Sequence, residues 1–382
     1  MNILHISPYY YPATYWGGPV FSVHALNSVI AKQADVSLHV LTTDSAGPHV
    51  SDRTESSSVG DLGYRVTYCR RVIGLYTSIE LLKRLPHEMR KSDIIHLTST
   101  HTFATIPALI LARKYNMPVV WSPRGAILEA CVWKGARKRK LKQLWEWFCN
   151  QLIAPGTVAL HVTTETEKRI SSKRISRAEP AIIPNGVDSL PDFPIREWMP
   201  DGVLRVMFLG RLSPVKGLEN LIDAIALLNK ALSVRLSIYG SGDEDYGSSL
   251  MKRASSLNLL DDSIFFCGHI RGEEKKHAFL HADVCIIPSH SENFSMVAAE
   301  ALGHGTPVIT SIHTPWQEVE EKDCGLWVDN SPESLARAIG SMASRDLENM
   351  GENGWQWMQE SFSWDTIGKN MLRLYSKMLK AD

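Results

Sequence analysis

The sequence predicts an α/β protein of two doubly wound domains, and three observations carry that prediction. Short β-branched runs alternate with longer amphipathic segments almost from end to end, the pattern of parallel strands joined by crossover helices. The alternation falls into two series, parted by a stretch that suits neither helix nor central strand. The chain has 382 residues, and domains average about 150.

The first series has strand candidates at 2–7, 36–43, 64–69, 93–98, 118–122, 158–163 and 181–184, with helical patterns such as 20–32 and 102–115 between them. The second opens at 204–210 and continues through 234–239, 263–267, 283–288, 307–311 and 325–329. Between the two, Pro184, Pro191, Pro194 and Pro200 with Gly186 and Gly202 mark a hinge. The expected boundaries are therefore 1–198 for an N-terminal Rossmann-like domain, 199–362 for a C-terminal one and 363–382 for a closing helix. In that last segment Ile367, Met371, Leu374, Tyr375 and Met378 recur at helical spacing, which predicts one buried face packed back on the N-terminal domain. Open α/β sheets bind ligands at the carboxyl ends of their strands, so the chemistry is expected in the strand-to-helix loops, with the two domains facing across a cleft.

Composition narrows the function classes. Lys plus Arg and Asp plus Glu each total 41, so the net charge is zero and no global footprint for nucleic acid exists. The opening Met1-Asn-Ile-Leu-His-Ile-Ser7 lacks a basic region followed by a long apolar one. The uncharged stretch Ile106 to Ala112 is far short of the roughly 20 residues that span a bilayer. Six Cys lie far apart without metal-ligand spacing, which reads as reduced, mostly buried thiols of a cytoplasmic protein.

Two constellations carry candidate chemistry. The strand ending at Gly210 runs into Arg211-Leu-Ser-Pro-Val-Lys216-Gly217 and then a helical pattern. Two cations at the mouth of a helix sit where the dipole and free N–H groups already favour an anion, and a diphosphate is the natural guest. After the strand at 283–288, Ser289-His-Ser-Glu292 leads into a helix expected to begin near Phe294, with Glu300 on its second turn. A carboxylate can hold two vicinal hydroxyls, so one Glu suits a ribose and the other a sugar. Solvated loop charges and dipole-complementing acids are the plain alternatives for each pair taken alone.

Arg211 with Lys216, Glu292 with Glu300 around Phe294-Ser295, Gly303-x-Gly-x-Pro-Val-Ile309 and Asn185-Gly-Val-Asp188 together resemble the retaining, family-four glycosyltransferases of the GT-B fold. The resemblance extends to Gly17-Gly18, Pro123-Arg124-Gly125 and Phe362-Ser-Trp364, so it covers essentially the whole chain. It implies that Arg211 and Lys216 bind the donor diphosphate, that Glu300 binds the ribose and that Glu292 contacts the donor sugar. It also implies that backbone amides of Phe294, Ser295, Met296 and Val297 hold sugar and phosphate, and that Gly17 and Gly18 let backbone approach the phosphates. Base contacts are implied for Gly240, Gly242, Gly268 and His269, a role near the reacting centre for His101, and acceptor or phosphate binding for Arg124. Such enzymes need no cofactor and no metal. The expected partners are a nucleotide diphosphate sugar, with uridine ahead of guanosine, and a glycan or lipid-linked acceptor of a bacterial surface polysaccharide.

Lys134, Arg137, Lys138, Arg139, Lys140 and Lys142 precede apolar Leu141, Leu144, Trp145 and Phe148 at helical spacing. This fits a peripheral contact with an anionic membrane surface or with a lipid-linked phosphate, or else a solvated basic face over a core stripe. His96 reads as a structural strand residue, and Trp316 as packing. A sugar-nucleotide epimerase or hydrolase on the same architecture is the first rival function, and a non-catalytic nucleotide-sugar binder another. A nicotinamide oxidoreductase is weaker, because the third glycine of Gly240-Ser-Gly242-x-x-Gly would fall on Asp245.

Overall fold

Every pairing between the strands described below is parallel. In the first sheet β1 (Asn2–Ile6), β2 (Ser37–Thr43), β3 (Arg65–Cys69), β4 (Ile94–Thr98), β5 (Val119–Ser122), β6 (Val158–Val162) and β7 (Glu179–Ile182) run in the order β3-β2-β1-β4-β5-β6-β7. In the second, β8 (Val203–Leu209), β9 (Ser233–Tyr239), β10 (Ile264–Gly268), β11 (Val284–Ile287), β12 (Val308–Ser311) and β13 (Gly325–Val328) run β10-β9-β8-β11-β12-β13. Helices cover parallel sheets on both faces, so the central strands β4, β6, β11 and β12 are buried throughout and mostly apolar. The computed structural model describes residues 1–54, 62–128, 136–228 and 232–380.

The strands belong to two units, Met1–Gly186 with Trp364–Asp382, and Val187–Ser363. The first unit ends earlier than the 198/199 boundary drawn from the prolines, and the reason is hydrogen bonding. The Val187 N–H donates to Phe362 O and the Leu190 N–H to Gly303 O, while Trp355 and Gln359 both donate to Leu190 O. The Arg196 guanidinium bonds Phe279 O, Leu280 O and Thr306 and lies over the Trp198 ring. The proline-rich stretch is thus laced onto the second unit rather than standing between the two.

The closing helix Trp364–Leu379 packs on the helix Gly18–Ala31 of the first unit. Its Ile367, Met371, Tyr375 and Met378 are buried with Ile3, Leu26, Ile30 and Val120, each such side chain contributing about 1.5 to 3 kcal/mol. Gly368 permits the approach, because a Cβ there would lie 2.7 Å from Val29.

A polar layer crosses the first sheet. His5, His96 and His161 are buried on β1, β4 and β6, with His5 and His96 stacked at 4.2 Å. With the imidazoles neutral, the Ile183 carbonyl at the end of the row fixes one direction of donation. Tyr375 O–H donates to His96 Nδ1 (2.6 Å), His96 Nε2–H to Ser122 Oγ (2.6 Å), Ser122 O–H to His161 Nδ1 (2.6 Å), and His161 Nε2–H to the Ile183 carbonyl (2.9 Å). Burial accounts for the neutral state: it holds His5 down to about 4, His161 down to about 3 and His96 well below the usual range, with Arg124 adding to each.

Because these groups take up protons only when the chain unfolds, stability is full above their unfolded pKa of about 6.5 and is lost as pH falls below it. Thermal melts from pH 8 to pH 5 should show a transition that falls below pH 6.5, each histidine adding up to about 1.4 kcal/mol per pH unit. A midpoint constant across that range would contradict the neutral assignment.

Candidate active site

Both sheets reverse their strand order once, and ligands of open α/β sheets bind at such switch points. In the second sheet the reversal falls between β8 and β11, so the exit loops of those two strands, distant in sequence, lie side by side. Gly217 is the point of contact: its φ is +66°, and a Cβ there would sit 2.2 Å from the Pro288 carbonyl oxygen. The His290 N–H donates to Val215 O across the same seam (2.8 Å). The exit loop of β9 is pressed equally close, because a Cβ on Gly240 would sit 1.8 Å from Gly210 O. Gly240 N–H donates to Gly268 O, and Gly242 bridges Leu212. Gly240 and Gly242 are therefore required by loop-to-loop packing, and Gly268 by its left-handed backbone (φ +74°), whatever else they contact.

This seam brings the charged groups together. Lys216 Nζ donates to Glu292 Oε1 at 2.5 Å, and Ser289 Oγ donates to the same oxygen at 2.8 Å. Arg211 stands exposed at the start of the loop. The following helix spans Met296–Gly303 and so begins later than expected, because Ser295 is left-handed (φ 62°) and caps it. Phe294 is consequently buried between Trp316 and Phe362, its carbonyl accepting the Trp316 indole N–H at 2.5 Å. The Ala298 N–H is taken by Ser295 O, which leaves the N–H groups of Met296 and Val297 at the helix mouth. Trp316 itself is core.

Glu300, on the next turn, accepts from Lys275 Nζ at 2.6 Å. Burial pushes its carboxyl up, and Lys275 pulls it back. Sequence reasoning missed Lys275: only the packing of helix Gly272–His281 reveals which of its several charges turns inward. His269 is exposed and accepts from Arg271 Nε at 2.8 Å. A cavity of about 640 Å³ opens beside it, lined by Arg235, Ser237, Tyr239, Cys267 and Ile270 among others. The run Asp243-Glu-Asp245 resembles a metal-binding Asp-x-Asp in sequence but is a helix start, Asp243 accepting from the Tyr246 N–H at 3.0 Å. No cluster able to hold a metal ion occurs among the described residues.

The first unit presents its own switch point, between β1 and β4. Gly17 has φ +74° and Gly18 opens the helix after β1. His101, in the exit loop of β4, is already engaged: its Nε2 meets Glu146 Oε1 at 2.9 Å, and the other oxygen of that buried carboxylate takes Arg174 Nε at 2.6 Å. Nε2 of His101 is thus held by the scaffold of the first unit. Arg124, left-handed at φ 54° after β5, donates Nη1 to Asn185 Oδ1 at 2.5 Å. Its Nε and Nη2 are buried and unpartnered among the described residues, and burial holds the guanidinium down to about 10.

The basic segment forms the helix Ala136–Leu152; Lys134 lies outside the described residues. Trp145 is not part of its outward stripe, because it is half-buried and donates to Thr100 O at 3.0 Å. The outward face is instead Leu141 (67% exposed), Leu144 (60%), Trp147 (57%) and Phe148 (41%), beside exposed Arg137, Lys138, Arg139 and Lys140 and half-buried Lys142. Among the described residues, no helix is long and apolar enough to cross a membrane.

Comparison with known proteins gives the same two halves. Residues 16–189 match the family model Glycosyltransferase Family 4, and residues 197–357 match Glycosyl transferases group 1. A GDP-mannose-dependent α-(1-6)-phosphatidylinositol dimannoside mannosyltransferase of Mycobacterium tuberculosis is 30% identical over 249 residues, 63% of each chain. The chain spans between 38% and 63% of the length of the curated relatives it matches. A sucrose-phosphate synthase of Thermosynechococcus elongatus superimposes with a TM-score of 0.77 at 21% identity over 100% of both chains. Anabaena HepE, solved with UDP and glucose, gives 0.71 at 18% identity over 98% of this chain and 99% of its own. The strand order, the two matched halves and these likenesses identify the fold as GT-B and support a glycosyltransferase of the family-four type.

Proposed function

We propose that this protein is a retaining hexosyltransferase that moves a sugar from a nucleoside diphosphate to a hydroxyl of a glycan or lipid-linked acceptor. The observation that carries the reading is the seam between β8 and β11, where Lys216, Glu292 and the helix mouth at Met296 and Val297 converge. The resident Lys216–Glu292 pair is a preformed site in which a diphosphate exchanges for the carboxylate. Lys216 and Arg211 then neutralise the leaving group together with the free amides, the role a divalent ion has elsewhere. Glu292, released from Lys216, accepts from hydroxyls of the donor sugar, and Glu300 accepts from the ribose.

The reaction proceeds on one face of the sugar. The anomeric carbon–oxygen bond to the diphosphate breaks, the acceptor oxygen bonds the same carbon from the same side, and the acceptor proton passes to the departing phosphate oxygen. The two carboxylates at the seam are each tied to a lysine, which suits electrostatic rather than nucleophilic roles. Arg124 is the acceptor-side candidate, with two guanidinium nitrogens awaiting a partner. Uridine is the first candidate base, favoured by the UDP held by Anabaena HepE, while the name of the mycobacterial relative favours GDP-mannose.

Incubation with UDP- and GDP-hexoses in the presence of a chelator, followed by NMR of the new glycosidic bond, tests this. The anomeric configuration should be retained, and Lys216→Ala should lose about 10- to 150-fold in donor turnover, the worth of a charge-assisted hydrogen bond. Inversion contradicts the mechanism. Free hexose alone or an epimerised donor would identify the hydrolase or epimerase instead.

We also propose that the helix Ala136–Leu152 rests on an anionic membrane surface, in keeping with a lipid-linked acceptor of a surface polysaccharide. Four exposed apolar side chains beside a run of cations support this, since apolar insertion and lipid charge then act together. The full chain should float with phosphatidylglycerol vesicles but not with phosphatidylcholine ones, and Leu144→Glu with Trp147→Glu should abolish flotation. Equal recovery from both lipids, or no effect of the double substitution, would refute the proposal.

A further inference from the structure

Helix Gly272–His281 opens Glu273-Glu274-Lys275-Lys276, and the two lysines part company. Lys276 meets Glu273 on the same surface at 3.6 Å, whereas Lys275 reaches across to Glu300 on a different helix at 2.6 Å. We infer that Lys275 is a positioning residue that holds the Glu300 carboxylate in the state and orientation that reads the nucleotide ribose, an inference that rests on the donor site proposed above.

The physical case starts from what surrounds Glu300. Desolvation raises its carboxyl, and the Asp188 carboxylate adds to that rise. The buried Cys285 thiol on β11 lies within its field, and His304 donates Nδ1–H to the Glu300 backbone carbonyl rather than to its carboxylate. Lys275 is the charge that opposes protonation, through both its field and its hydrogen bond. The protonation state matters for recognition: an ionised carboxylate accepts from both vicinal hydroxyls, whereas a protonated one surrenders an oxygen to its own proton. A nucleotide seated over Glu300 strips further water from it and pushes the carboxyl further up, so the need for the lysine is greatest when ligand is bound. Without a counter-charge, a carboxyl so buried takes a proton rather than remaining an isolated anion.

The readout is discrimination between a nucleoside diphosphate and its 2′-deoxy form. Calorimetric titrations of the full chain with UDP and dUDP, and with GDP and dGDP, would compare wild type, Lys275→Met, Lys275→Arg, Lys276→Met and Glu300→Gln at pH 6.5 and 8.5. In the wild type the ribose form should bind at least tenfold more tightly. Glu300→Gln should erase that preference at both pH values. Lys275→Met should weaken it, and more at pH 6.5 than at pH 8.5, because a carboxyl pushed up by burial and left without its lysine ionises more readily as pH rises, while Lys275→Arg and Lys276→Met keep it. Unchanged deoxynucleotide affinity in Lys275→Met verifies that the diphosphate site is intact. A full ribose preference in Lys275→Met at pH 6.5 alongside its loss in Glu300→Gln overturns the role of Lys275 alone. A preference that survives Glu300→Gln overturns the ribose assignment, and this inference with it.

Discussion

The pairing of Lys216 with Glu292 is the interaction around which the second unit is arranged. Two opposite charges from loops 76 positions apart in sequence meet at 2.5 Å, and they do so because the strand order reverses between β8 and β11. Backbone packing at Gly217 and Gly240 makes the meeting close enough to be a site rather than a pair of neighbouring loops. The second lysine–carboxylate pair, Lys275 with Glu300, extends the same device along the seam. A partly buried ion pair offsets its attraction against its own desolvation and contributes little net to folding. On the function proposed above its value is preorganisation: cations and acceptors stand in place, and an anionic ligand would substitute for a carboxylate instead of recruiting charges from solvent.

The first unit solves a different problem with the same architecture. Its sheet carries a directed chain of hydrogen bonds from Tyr375 through His96, Ser122 and His161 to a backbone carbonyl. The chain joins the closing helix to strands β4, β5 and β6, so the last helix in sequence completes a polar layer begun near the amino terminus. Arg124 lies within the field of that layer, which couples the charge on a candidate ligand-binding residue to three histidines that must stay neutral.

Much of the architecture was legible because parallel strands are short, apolar and separated by amphipathic segments. The runs at 204–210 and 283–288 differ by a residue or so from β8 and β11, and the second-unit charges follow from their position at strand ends. What was not legible depended on contacts remote in sequence. The prolines after 184 suggested an independent hinge, but hydrogen bonds to Phe362 and Gly303 assign that stretch to the second unit. The left-handed Ser295 delayed a helix that the apolar pattern starts at Phe294. The pairing of His101 with Glu146, 45 positions away, could not be read from the sequence either. Trp145 and Trp147 are indistinguishable by composition, and only the burial of Glu146 and Cys149 tells which indole faces inward.

On the proposed function the β8–β11 seam binds a nucleoside diphosphate through protein charges and amides. Calorimetric titration of the full chain with UDP, GDP and NAD in excess chelator tests it most directly. Saturable binding of one nucleoside diphosphate, with no heat from NAD, is the expected result. Binding of NAD alone, or diphosphate binding that appears only when a divalent ion is restored, would contradict it.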